Sequence, residues 1–242
     1  MYMEIIYKLT KISYMVKNNG ENAIVFLHVW GASSQFFLPL SNQIDYCKTK
    51  HFLIDFPPFG GSSEPAEVWT LQDYANCLYM ILQAEKIKKI IIIAHSFGGR
   101  VAICFDNIYT NIVQKMLITG GAGIKPKQTI KRVIKKIVYK LIRVFNKKIN
   151  LGSADYKKLS PKMKKTFSNI VEYDLSDLSK NIICPTILIY GNKDKETPLY
   201  MAKKLNKNIK NSKLIVFKGC GHFAYIEKFA KFVNITQSFI KE

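Results

Sequence analysis

The sequence predicts an α/β fold on a mostly parallel sheet, and three observations carry that prediction. Short apolar runs alternate with segments of helical periodicity along most of the 242 residues, the order expected of α/β architecture. Two of the runs, "AIVFLHV" (23–29) and "KIIIIAH" (89–95), are continuously apolar rather than alternating, as strands buried on both faces are. The chain is long enough for one large domain, and 48% of its residues are hydrophobic, which excludes a disordered chain.

The elements follow in order. "MEIIYKL" (3–9) and "KISYMVKN" (11–18) read as two strands joined around Thr10, closed by the turn signal Asn18-Asn19-Gly20. After "AIVFLHV", a helix is expected from Ser34 to about Lys48, then a strand in "HFLIDF" (51–56) that Pro57-Pro58 breaks off before the loop Gly60-Gly61-Ser62-Ser63. Thr70 is placed to cap a helix reaching about Glu85, with Leu71, Tyr74, Ala75, Leu78 and Leu82 on one face. "KIIIIAH" is the most strand-like run of all; a helix from Phe97 to about Tyr109 and the strand "QKMLITGG" (114–121) follow it. From Lys125 to Lys180 the pattern turns helical and basic, with no strand. Alternation resumes with "TILIYG" (186–191), a helix from Pro198 to about Asn208, "KLIVFKG" (213–219) and a last helix near Phe223 to Ile240. The economical organisation is an α/β core of residues 1–123 and 182–242, interrupted by a helical insertion at 124–181.

The net charge of +20 is uneven: residues 125–165 hold 15 Lys or Arg and one acid, Asp155. Such a patch could attract anionic surfaces, but it reads first as the solvated face of a Lys-rich helix. The five cysteines, Cys47, Cys77, Cys104, Cys184 and Cys220, are widely spaced and odd in number, without a metal or redox motif. They read as free thiols of a reducing compartment, mostly in the core. No run is as long as a membrane span, and the N-terminus has no leader pattern. The expected location is therefore the cytoplasm.

The strongest chemical signal is Ala94-His95-Ser96-Phe97-Gly98, at the junction of a buried strand and a helix. A small-x-Ser-x-Gly turn at that junction lifts the serine hydroxyl clear of the sheet, and small residues two before and two after it avoid collision. A serine hydroxyl needs a base, and histidine has the suitable pKa. Of His28, His51, His95 and His222, only His222 sits in a later glycine-flanked loop, "KGCGHF", able to approach Ser96. Cys220, two residues before it, is a weaker candidate for the same site. The acid that orients the base belongs between them in the chain, after a strand. Asp194 in "LIYGNKDKETP" fits, with Glu196, Asp174 and Asp177 as alternatives.

With "FLHVWGASS", "IDFPPFGGSS", "AHSFGGR", "YGNKD" and "GCGHFAYIEK" in this order, almost the whole chain resembles the α/β-hydrolase family. The resemblance implies a mostly parallel sheet of about eight strands flanked by helices, a helical lid or cap at 124–181, and a triad of Ser96, Asp194 and His222. It also implies that the backbone N–H groups of Trp30 and Phe97 form the oxyanion hole. There are two departures. His28-Val29-Trp30 stands where the family usually reads His-Gly-x, and Asp55-Phe56-Pro57-Pro58-Phe59-Gly60 where it reads Asp-x-Pro-Gly-x-Gly. A β-branched Val29 strongly disfavours positive φ. The expectation is an ordinary backbone at 29 with Trp30 N–H still aimed at the site.

Within the insertion, residues 128–148 form a basic amphipathic helix by pattern. It reads first as a lid whose apolar face covers the site, and second as a weak contact for anionic membrane; no nucleic-acid motif accompanies it. The predicted activity is hydrolysis of a small carboxylic ester or related acyl substrate with an apolar part, without metal or cofactor. Carbon–carbon bond hydrolysis or elimination by the same residues, or a weakly catalytic binding scaffold, are the alternatives. The substrate-binding residues and oligomeric state are not readable.

Overall fold

The computed structural model describes residues 1–20, 22–44, 49–125 and 159–242. An eight-stranded sheet runs through the described residues in the order β1-β2-β4-β3-β5-β6-β7-β8. Its strands are β1 (Tyr2–Tyr7), β2 (Thr10–Lys17), β3 (Asn22–Leu27), β4 (Thr49–Ile54), β5 (Ile90–His95), β6 (Val113–Thr119), β7 (Thr186–Gly191) and β8 (Ser212–Phe217). The first two join antiparallel, and β4, β3, β5, β6, β7 and β8 lie parallel. The hairpin between β1 and β2 turns on Lys8 and Leu9, both at positive φ (45° and 58°). Such a two-residue turn ordinarily selects Asn or Gly; here Lys8 is held by Glu67 and Asp73.

Helices cover both faces. In β3, Ala23, Val25 and Leu27 face one core and Ile24 and Phe26 the other. The first core is closed by α2 (Leu71–Ala84), α3 (Phe97–Ile108) and α5 (Leu199–Asn208), the second by α1 (Leu38–Gln43), α6 (Ala224–Glu227) and α7 (Phe229–Lys241). Thr70 caps α2 in a reciprocal box with Asp73, whose carboxylate accepts from the Thr70 N–H (2.7 Å).

Two expected helices differ. The one placed from Ser34 begins as a 3₁₀ turn (Ser34–Phe37) and continues as α1 only to Gln43; residues 45–48 lie outside the described ones. The last helix is broken at Lys228 (φ −131°, ψ 53°), and the break lets Tyr225 and Phe232 meet in one core, ring centroids 5.5 Å apart. Of the insertion, the described part holds α4 (Pro161–Glu172) and a 3₁₀ turn (Leu178–Asn181), while the basic stretch 128–148 lies outside the described residues. Trp69 N–H donates to Thr166 Oγ1 (3.0 Å) and ties α4 to the body. No described helix is long and apolar enough to cross a membrane.

The chain runs from β3 to β4 on one side and then crosses to β5 on the other. The carboxyl ends of β3 and β5 therefore flank a topological switch point, where open parallel sheets form their crevice.

Candidate active site

Ser96 stands between β5 and α3 with φ 50° and ψ −105°. That is outside the ordinary regions for a residue with a side chain, at a cost of about 1–3 kcal/mol. The turn is held by Ser96 N–H to Thr119 O (3.1 Å) and by Gly99 N–H to Ser96 O (3.0 Å). A Cβ on Gly98 would stand 2.1 Å from the Leu27 carbonyl oxygen, so α3 can start against β3 only with glycine there. The sequence reading of a sharp strand-to-helix turn is matched residue for residue.

His222, on the loop after β8, and Asp194, after β7, are both buried. His222 Nδ1–H donates to Asp194 Oδ2 (2.8 Å), which leaves Nε2 with the lone pair. Asp194 also accepts from Glu196 N–H (2.8 Å), Thr197 N–H (2.9 Å) and the Thr197 hydroxyl (2.7 Å). Burial pushes the Asp194 carboxyl up, but the bonds from His222 and Thr197 outweigh it and hold the group below its usual range. Nε2 takes no hydrogen bond among the described residues, Ser96 included; Glu196 Oε2 lies 3.4 Å from it. Contacts of this kind often tighten only around a substrate. The other acids weighed from sequence are engaged elsewhere: Asp174 with Ser176, Asp177 with Lys180.

The remaining histidines are structural. His28 donates from Nδ1 to Val29 O (2.7 Å) and accepts Phe56 N–H at Nε2 (2.9 Å), with its pKa pushed down to about 4 by burial. His95 is fully buried, bonds Thr119 O (2.9 Å), and is pushed down to about 3, again chiefly by burial. His51 sits in β4, bonded to Ser41 Oγ (2.9 Å). Cys77, Cys104, Cys184 and Cys220 are buried free thiols, and Cys47 lies outside the described residues. Burial pushes the Cys104 thiol up to about 11, away from reactivity. Cys220 does not line the cavity.

In the loop after β3 the positive φ falls on Gly31 (88°) and not on Val29. Ala32 N–H closes the turn on Val29 O (3.1 Å). The Trp30 ring packs against Phe59, Phe97 and Phe167 at 5.0–5.2 Å. Phe59 follows Pro58, the residue at which the second departure falls, and its ring supports the Trp30 loop. Neither Trp30 N–H nor Phe97 N–H donates to any described residue. Both residues line a cavity of about 820 Å³ together with Ser96, Arg100, Phe167 and Glu196.

The family model for the α/β-hydrolase fold matches residues 22–150 and 146–229. The chain belongs to the α/β-hydrolase fold family. It is 22% identical to a proline iminopeptidase of Saccharolobus solfataricus, over 99% of this chain and 90% of that one. It is 23% identical to a 2-hydroxy-6-oxononadienedioate/2-hydroxy-6-oxononatrienedioate hydrolase of Burkholderia vietnamiensis, over 96% and 91%. Among solved structures, an esterase from Exiguobacterium antarcticum superposes with a TM-score of 0.79 at 20% identity, covering 96% of each chain. These relatives are hydrolases, and so is this chain.

Three residues of this hydrolase's site escape sequence reading. Thr197 grips Asp194 through both its N–H and its hydroxyl; the signal was the short spacing Asp194-x-x-Thr197 before a helix. Gly120 (φ 51°) backs onto His222, where a Cβ would stand 3.2 Å from the ring and 3.0 Å from the His222 carbonyl oxygen. Arg100 reaches from α3 to the end of α4, a contact no local pattern announces.

Proposed function

We propose that this hydrolase cleaves a small carboxylic ester or related acyl compound with an apolar part, through an acyl-enzyme on Ser96. In this reading Ser96 Oγ attacks the carbonyl carbon and His222 Nε2 takes its proton, later returning it to the leaving group. Asp194 holds the Nδ1–H tautomer and offsets the charge on the imidazolium. The N–H groups of Trp30 and Phe97 receive the oxyanion, each worth about 2.7–4 kcal/mol of barrier by analogy with measured holes. Water then releases the acid, and no step requires a metal or cofactor. The aromatic wall of Trp30, Phe97 and Phe167 suits the apolar part.

The observation that carries the reading is the strained Ser96 at the cavity floor, with an imidazole held by a carboxylate from two later loops. A fluorophosphonate probe and nitrophenyl esters of increasing acyl length test it. Labelling of Ser96 and turnover lost in Ser96→Ala are expected; turnover unchanged in that variant overturns the mechanism. Similarity to the oxo-dienedioate hydrolase favours a second reading, in which Ser96 attacks a ketone and a carbon–carbon bond breaks. Turnover of a β-diketone without turnover of esters would select it.

A further inference from the structure

Arg100 is the only cation among the described residues lining the cavity. It lies four residues after Ser96 on α3, about 6 Å further along the helix axis. The residue is buried, 6% exposed. Its Nη1 donates to Ile170 O (2.8 Å) and Tyr173 O (2.9 Å), and Nη2 to Val171 O (3.3 Å). These carbonyls belong to the C-terminal end of α4, whose last turn has no intrahelical donors. A helix C-terminus offers about half an elementary negative charge. No Asp or Glu oxygen lies within 4.0 Å of the guanidinium among the described residues. Asp174, which accepts from Ser176, acts on the guanidinium only at longer range, and Glu196 stands largely exposed beside His222.

Buried charges are ordinarily paired, because desolvating a lone one is costly. Asp174 adds a longer-range attraction, but no described carboxylate touches this charge, and two of the five N–H groups lack a described acceptor. The three bonds leave Nε–H and one Nη2–H without a described acceptor. A planar guanidinium presents such groups as a fork that fits a carboxylate. Burial lowers the Arg100 pKa to about 10, so the group keeps its proton at neutral pH.

We propose that Arg100 binds a carboxylate of the substrate, so that the preferred substrates are acyl compounds bearing a second, free acid group. The inference rests on the hydrolase reading above and narrows its substrate class. It gives the cavity two ends: an aromatic wall for the carbon chain and one cation for its terminus. A positively charged protein also steers such anions toward itself.

The test compares nitrophenyl half-esters of dicarboxylic acids, with two to five methylenes, against the same compounds capped as methyl esters. Wild type is expected to show a kcat/KM for at least one charged member about tenfold or more above its neutral partner, the scale of a charge-assisted bond. That ratio should collapse in Arg100→Met and survive in part in Arg100→Lys. Ratios at or below one at every length overturn the proposal and leave Arg100 as a clamp on α4. A second arm needs no turnover: calorimetric titration of the intact charged and neutral esters into Ser96→Ala. Binding of the charged ester alone supports the carboxylate site, and equal or absent binding of both overturns it. Should Arg100→Met fail to fold, the wild-type ratio and this titration still decide. Loss of all turnover and of Ser96 labelling, with charged-ester binding intact, instead sinks the hydrolase reading.

Discussion

Replacing Ser96 with glycine should stabilise the protein while removing its proposed nucleophile. At φ 50° and ψ −105°, Ser96 holds a conformation that glycine adopts without penalty. Relief of strain is worth about 1–3 kcal/mol. Against it stands the freer unfolded chain of the glycine variant, about 0.4–1 kcal/mol. The Ser96 hydroxyl makes no hydrogen bond to a described residue and is partly exposed, so little else is lost. The difference centres near 1.3 kcal/mol. For a domain of this size each kcal/mol moves the melting temperature by about 2–4 °C, so Ser96→Gly should melt roughly 3–5 °C above wild type. Ser96→Ala keeps a Cβ, keeps the strain, and should stay within about 0.5 kcal/mol of wild type. Calorimetry on the three proteins at one pH separates backbone strain from loss of the hydroxyl. Ser96→Gly melting no higher than Ser96→Ala would refute the argument, because only the glycine can relax the turn.

Gly98→Ala should cost about 3 kcal/mol or more, since its Cβ meets the Leu27 carbonyl at 2.1 Å in the centre of the sheet and backbone cannot step aside; soluble yield and a urea midpoint measure it. Asp194→Asn should lower kcat on the order of 10⁴-fold with the fold intact, by releasing the Nδ1–H tautomer of His222; single-turnover assays on a nitrophenyl ester read it. Acid should weaken the fold through His28 and His95, which burial keeps neutral with pKa values of about 4 and 3. Both are lowered from 6.5, so their contribution is complete above pH 6.5 and drains away as pH falls toward 4. Two protons taken up on unfolding give a slope of up to about 2.7 kcal/mol per pH unit in that window. Urea midpoints flat from pH 6.5 to 4 would contradict the buried, neutral assignment.

What could be read from the sequence divides by range. Every strand has its run in the sequence, with ends within two residues, and in β3 and β5 the run is continuously apolar because both faces are buried. The Ser96 turn is legible because its residues are contiguous at a strand-to-helix junction, although what requires glycine at 98 is the distant Leu27 carbonyl on β3. The choice between Asp194 and Glu196 is not local, as both sit in one loop. The structure separates them by where the Glu196 and Thr197 N–H groups point, onto the Asp194 carboxylate beside His222 Nδ1. Arg100 acts on atoms 70 residues away, which no periodicity records, whereas Thr197 acts mainly on Asp194 three residues before it, a short spacing too common to single out. Val29 lies between these cases. Its β-branch forbids positive φ cheaply, and the loop meets that limit by placing its positive φ two residues later, at Gly31. The conformational demand has moved along the loop, and position 29 is free to carry a side chain. Val29 is among the residues lining the cavity. Val29 is thus a wall residue rather than a hinge, and a larger residue there would narrow the cavity that Ser96 also lines.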